Sequence, residues 1–283
     1  MIELTTIREL KAWVGAMRAR DYRIGLVPTM GALHEGHLSL VDAARGASEA
    51  VVMSIFVNPT QFGPNEDLSR YPRDLARDRA LAASRGVDMI FVPSVGTMYP
   101  EGSEVRVVPG RAASRWEGEF RPGHFAGVLT IVAKLFHLAE PDCAWFGQKD
   151  FQQATLIRQM VRDLDFPLRV EVVPTVREAG GLALSSRNAF LSPADREQAL
   201  GLSRALAAAA AAFGSGVRDP SALERLMRAG LAVHPGVEVE YIAVADPQTL
   251  EPVHEADDAT VVLIAARVGS TRLIDNVILS KGL

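Results

Sequence analysis

Two imidazoles three residues apart, His34 and His37, stand inside the stretch Pro28-Thr29-Met30-Gly31-Ala32-Leu33-His34-Glu35-Gly36-His37. An imidazole can donate a hydrogen bond, carry a proton or bind a metal, so the surroundings must choose among these roles. Before the pair runs Ile24-Gly25-Leu26-Val27, apolar and short enough for a buried strand. After it, Leu38-Ser39-Leu40-Val41-Asp42-Ala43-Ala44-Arg45 carries apolar residues at helical spacing, with Gly46 as the stop. The pair therefore falls on a strand-to-helix turn, where unpaired N–H groups and the helix dipole favour an anion. Gly31 and Gly36 leave backbone uncovered, so a phosphate or a flat ring can come close. Phosphate and base together are what a nucleotide offers. Two duller readings compete: a zinc site, which lacks a nearby third ligand, and a pair of histidines that merely cap the helix.

The rest of the chain must position that turn. Its 283 residues suggest two domains or one large one, and 48% hydrophobic residues suffice for a full core. A formal charge of −4 without a long basic stripe argues against nucleic acid as a partner. The single cysteine, Cys143, rules out an internal disulfide, as in a reducing compartment. Without an apolar run of membrane-spanning length, and with residues 1–20 reading as charged and helical, the expectation is a soluble cytoplasmic protein with no membrane partner.

Strands are expected over 24–27, 50–57, 89–92, 143–146 and 169–173, with a possible short one at 105–108. Helices are expected between them, one of them running from about 73 to 85. A polar loop is expected over 60–67, and an Arg- and Gly-rich stretch over 110–123 reads as a mobile loop. Alternation of this kind predicts an α/β fold: a Rossmann-like, doubly wound parallel sheet, with ligands at the carboxyl ends of its strands. Beyond Gly180-Gly181 the pattern changes to helices over 195–213 and from Pro220, and strands over 237–241, 260–265 and 273–279. The reading therefore sets a Rossmann-like domain at 1–175 and a smaller α+β domain at 176–283.

His34-Glu35-Gly36-His37 resembles the His-x-Gly-His signature of a nucleotidyl-transfer superfamily. With Phe56-Val57-Asn58-Pro59, Gln61-Phe62, Tyr71-Pro72-Arg73, Arg121-Pro122-Gly123-His124-Phe125, Lys149-Asp150-Phe151-Gln152-Gln153 and Leu184-Ser185-Ser186-Arg187-Asn188, in that order, the chain resembles the pantothenate synthetase (pantoate–β-alanine ligase) family. The resemblance implies joining of pantoate to β-alanine at the expense of ATP, through a pantoyl-adenylate. It also implies Mg²⁺ with the ATP, and a homodimer. Gln148 stands where the family usually has Glu, and Thr60 where Met is common.

The same resemblance suggests roles. His37, His34 and Lys149 would be catalytic, neutralising charge that builds on the phosphates; an ionised carboxylate nucleophile needs no general base. ATP would be held by Met30, Gly31, His34, Gly36, His37, Gly147, Gln148, Lys149, Asp150, Val176, Leu184, Ser185, Ser186 and Arg187. Gln61 and Gln153 would bind pantoate or β-alanine through neutral amides. Gln153 has a rival role, since Asp150-x-x-Gln153 also fits a capping box. The metal ligands stay open, with Asp78 at the position the family suggests. A nucleotidylyltransferase acting on a phosphate ester would share the histidine turn, but it would need a basic acceptor pocket rather than two glutamines.

Overall fold

A computed structural model describes every residue from Met1 to Leu283 except Asn65, so that part of the polar loop expected over 60–67 lies outside the described residues. The chain divides into two compact units. One comprises 1–114, 118–147 and 156–174, the other 115–117, 148–155 and 175–283.

The first unit opens with β1 (Ile2–Leu4) and α1 (Ile7–Arg18), then β2 (Ile24–Thr29), α2 (Glu35–Arg45), β3 (Ala50–Ile55), α3 (Leu75–Ser84), β4 (Met89–Phe91) and α4 (Val95–Met98). A short helix α5 (Glu117–Phe120) precedes α6 (His124–Ala139), β5 (Cys143–Gly147), α7 (Phe151–Asp163) and β6 (Arg169–Val173). The six strands pair in the order β1-β4-β3-β2-β5-β6, all parallel. All six residues of β3 are buried, so helices cover both faces, as parallel sheets require. From β2 the chain builds outward through β3 and β4 on one side, and later through β5 and β6 on the other. The order thus reverses between β2 and β5, paired at Gly25↔Cys143 and Leu26↔Ala144. Ligands of open α/β sheets bind outside the carboxyl ends at such a reversal. β2 runs out at Thr29, directly before the histidine turn, and β5 at Gly147.

Three expectations need correction. Residues 1–20 hold a strand before the helix: β1 is three residues long, at the sheet edge and half exposed, so no apolar run announces it. The strand expected at 105–108 is absent among the described residues. Val105 and Val108 are 90% and 78% exposed, and the Val107 amide donates to Thr130 Oγ1 at 3.0 Å instead of joining a ladder. The stretch 110–123 is not a plain loop, since it contains a 3-10 turn (Arg111–Ala113) and α5, where Glu117 is only 5% exposed.

In the second unit, α8 (Pro193–Gly214) and α9 (Pro220–Leu231) pack on an antiparallel sheet of β7 (Val237–Ala245), β8 (Val261–Val268) and β9 (Thr271–Ile278). Its core joins Leu202, Leu206, Leu223 and Met227 of the helices to Val262, Ile264 and Val277 of the strands. Asp219 caps α9 with Pro220 at the first helical position, a start legible from the residue pair alone.

The turn after β2 is a strained part of the first unit. Gly31 and Ala32 both have positive φ, +81° and +52°, and for the alanine this costs on the order of 1–2 kcal/mol. Two backbone amides of the turn, Ala32 and Leu33, donate to Asp78 Oδ2 and Oδ1 at 2.9 and 2.8 Å. Asp78 belongs to α3 and is 2% exposed. Hydrogen bonds to a charged acceptor contribute about 1.5–3 kcal/mol each, enough to offset the strain. A Cβ on Gly31 would stand 2.8 Å from Asp78 Oδ2, so glycine is required by the brace as well as by φ. Asp78→Ala is expected to lower stability by about 2–4 kcal/mol in urea unfolding, since two turn amides lose their acceptor. Asp78→Asn should lose less, because one carbonyl oxygen remains, and an Asp78→Ala protein of unchanged stability would contradict the brace.

Candidate active site

His34 is the N-cap of α2, and its Nδ1 accepts from the Gly36 N–H at 3.1 Å. An Nδ1 that accepts leaves the proton of a neutral ring on Nε2, so the cap also fixes which nitrogen donates. His37 lies in the first helical turn, and its ring centroid is 4.1 Å from that of His34 at an interplanar angle of 37°. The pair expected on one side of a helix start is thus stacked there, half buried, where the helix dipole is positive. For His34, capping and donating are compatible rather than rival roles. Leu38 and Val41, 1% and 0% exposed, anchor the helix that carries the pair.

Behind the turn, Gln61 is 8% exposed at the end of a 3-10 turn (Pro59–Gln61) capped by Asn58. Its Oε1 accepts from Asn58 Nδ2 at 3.1 Å and its Nε2 points at Met30 Sδ at 3.0 Å. That leaves one N–H and one carbonyl lone pair of the amide for a ligand. The Gln61 main-chain oxygen accepts from His124 Nδ1 at 2.8 Å, while Arg121 donates to His124 Nε2 at 3.1 Å and forks onto Glu66 at 2.9 and 2.6 Å. Burial pushes the Glu66 carboxyl up, but hydrogen bonds and charge from Arg121 outweigh it and hold the group below its ordinary value. Thr60 turns its hydroxyl to Asn58 Oδ1 at 2.9 Å.

In the second unit, Gln148, Lys149 and Asp150 form a 3-10 turn directly after β5. Lys149 has a side chain 18% exposed, with Nζ 3.5 Å from Asp150 Oδ1. A Cβ built on Gly147 would meet no heavy atom within 4 Å, so the protein's own packing does not demand glycine there. Gln153 lies half buried in the first turn of α7. Its neighbour Gln152 is the structural one, 4% exposed and bound to Glu117 N and Arg115 O at 3.1 and 3.0 Å. Leu184 N donates to Val176 O at 2.9 Å beside an isolated Arg177–Ala183 bridge, and the chain then enters the turn Ser186–Phe190. Ser185 caps that turn by accepting from Arg187 N at 3.2 Å, which leaves its hydroxyl proton to donate. Ser186 and Arg187 follow on the turn itself, half buried.

The sequence reading missed the residues that hold these groups still. Asn58 and Asn276, each 1% exposed, direct their amides at Gln61 and at the Gln148–Lys149 backbone. A signal existed in both cases, because a polar amide set in or beside an apolar strand must be satisfied by something. Asp78 spends its two oxygens on the turn amides, and no group of three or more His, Cys, Asp or Glu among the described residues could hold a metal ion. No helix is long and apolar enough to cross a membrane among those residues.

The family model described as pantoate-beta-alanine ligase matches residues 3–278. The pantothenate synthetase of Moorella thermoacetica is 51% identical over 276 residues, with 98% of each chain covered. Among solved structures, that of pantothenate synthetase from Thermus thermophilus superposes with a TM-score of 0.94 at 48% identity, covering 99% of both chains. The Francisella tularensis ligase, solved with β,γ-ATP and β-alanine, gives 0.80 at 35% identity, covering 99% of this chain and 98% of that one. A match along nearly the whole chain, with the stacked histidines at the sheet reversal, leads to one conclusion: the chain belongs to the pantoate–β-alanine ligase family.

Proposed function

We propose that this chain is an ATP-dependent ligase that condenses pantoate with β-alanine to pantothenate, releasing AMP and pyrophosphate. The observation that carries the reading is the His34–His37 stack on the first turn of α2, at the sheet's reversal point, in a chain of this family. In the first step a pantoate carboxylate oxygen attacks the α-phosphorus of ATP, and the bond to the β-phosphate bridging oxygen breaks. Pyrophosphate leaves and pantoyl-adenylate forms. In the second step the β-alanine amine attacks the acyl carbon, AMP departs, and the nitrogen gives up a proton.

The carboxylate is already ionised, so the protein's task in the first step is to orient it and to donate to the phosphate oxygens as charge shifts onto the leaving group. His34 contributes an Nε2–H whose direction is set by its cap, and His37 a second ring beside it. Lys149 adds a compact positive charge on a short turn. Open space beside Gly147 suits close approach of a nucleotide, and the backbone at Met30, Gly31 and Gly36 and the turn carrying Ser185, Ser186 and Arg187 are assigned to the same ligand. Val176, Leu184, Gln148 and Asp150 complete the proposed ATP contacts, and the residual amide capacity of Gln61 and Gln153 is assigned to pantoate and β-alanine. Mg²⁺, as the ATP complex, would supply charge neutralisation while keeping phosphate and water in most of its shell, which fits a chain whose Asp78 is already committed to backbone. The reading includes a homodimer and a cytoplasmic location; the lone, buried Cys143 suits the latter.

With pantoate and no β-alanine, the protein is expected to exchange labelled pyrophosphate into ATP. Exchange that appears only once β-alanine is added would overturn the stepwise route. His37→Ala and Lys149→Ala are each expected to lose roughly 10²–10³ in turnover while keeping the fold, the cost of one preorganised donor. Gln61→Ala should instead raise the KM for pantoate more than that for ATP. Near-normal turnover in His37→Ala would return that ring to a structural role.

A further inference from the structure

Asn276 lies on β9, in the core of the second unit, where an amide is costly unless every polar atom is used. All of them are used, on one target. Its Nδ2 donates to the main-chain oxygens of Gln148 and Lys149 at 2.9 and 3.0 Å, and its Oδ1 accepts from Gln148 Nε2 at 3.2 Å. The two carbonyls belong to the peptide groups on either side of the Lys149 Cα. Pinning both planes fixes the backbone angles at Lys149, and so the direction in which its side chain leaves the chain. The Gln148 amide also sets which end of Asn276 faces which partner.

Asn276 is itself held. Its N–H donates to Asp275 Oδ1 at 2.8 Å, and Arg177 forks onto the same carboxylate at 2.7 and 2.9 Å. Asp275 is 5% exposed, so this ion pair is shielded and geometrically defined rather than a loose surface contact. The chain of contacts runs from Arg177 through Asp275 and Asn276 to the backbone of Lys149.

We infer that Asn276 is a positioning residue for the reaction, acting by fixing the backbone from which Lys149 extends. The inference rests on the reading that Lys149 serves the phosphate chemistry. A small misplacement of a catalytic group can cost up to about 10²-fold. Asn276→Asp, nearly the same shape but without the two donors, is therefore expected to lower kcat by about 10–100-fold with little change in the KM for pantoate. Asn276→Ser, which keeps one donor, should lose less, and it decides the question by the same criteria if Asn276→Asp does not melt as a folded protein.

The decisive comparison is with Lys149→Ala. If Asn276 works through Lys149, adding Asn276→Asp to Lys149→Ala costs no further turnover. Losses that multiply in the double variant, or a folded Asn276→Asp enzyme with full kcat, would overturn the inference while leaving the role of Lys149 intact. Full turnover in Lys149→Ala alone would instead bring down the reading on which the inference stands.

Discussion

The contact on which the rest depends is that between the Asp78 carboxylate and the amides of Ala32 and Leu33. A strand that must end and hand over to a helix within five residues has to turn sharply, and here it does so through two successive positive-φ residues. Such a turn is strained on its own account. An acidic group buried under it supplies two charge-assisted hydrogen bonds and makes the conformation stable. Everything that gives the turn chemical use follows from that shape: the free helix start, the capping ring of His34, and His37 stacked against it. An acidic residue near a proposed phosphate site would otherwise be an odd choice, because it repels the ligand. Directing both oxygens into backbone amides removes that difficulty.

A similar division of labour recurs in both units. Groups assigned to the substrates include imidazoles, a lysine and glutamines, while neutral amides and buried carboxylates behind them are spent within the protein. Asn58 holds the Gln61 side chain, His124 holds its carbonyl, and Asn276 holds the carbonyls around Lys149. Low exposure makes these supports strong, because an amide that loses its partner there cannot turn to water.

The sequence carried the parallel sheet, the helix starts at Asp74 and Asp219, and the histidine turn, because each rests on local patterns: a continuous apolar run, a capping residue, a glycine at a turn. It failed where local pattern and tertiary need diverge. β1 is too short and too exposed to stand out, and 105–108 has the β-branched composition of a strand but no partner. Beyond the histidine turn, the assigned ligand groups were legible only through resemblance, since Ser185-Ser186-Arg187 alone is a turn. A buried amide signals that it must have a partner, but the partners of Asn58, Asn276 and Asp275 were not legible, because most lie tens to more than a hundred residues away.

A carboxylate activated at the α-phosphorus leaves a permanent mark, because one of its oxygens departs with the nucleotide. The most direct test is a single turnover with pantoate labelled with ¹⁸O in its carboxylate, ATP and β-alanine, followed by mass analysis of the nucleotide and of the inorganic product. The account predicts one labelled oxygen in AMP and none in pyrophosphate. Label in the inorganic product, or AMP free of label while pantothenate forms, would contradict it.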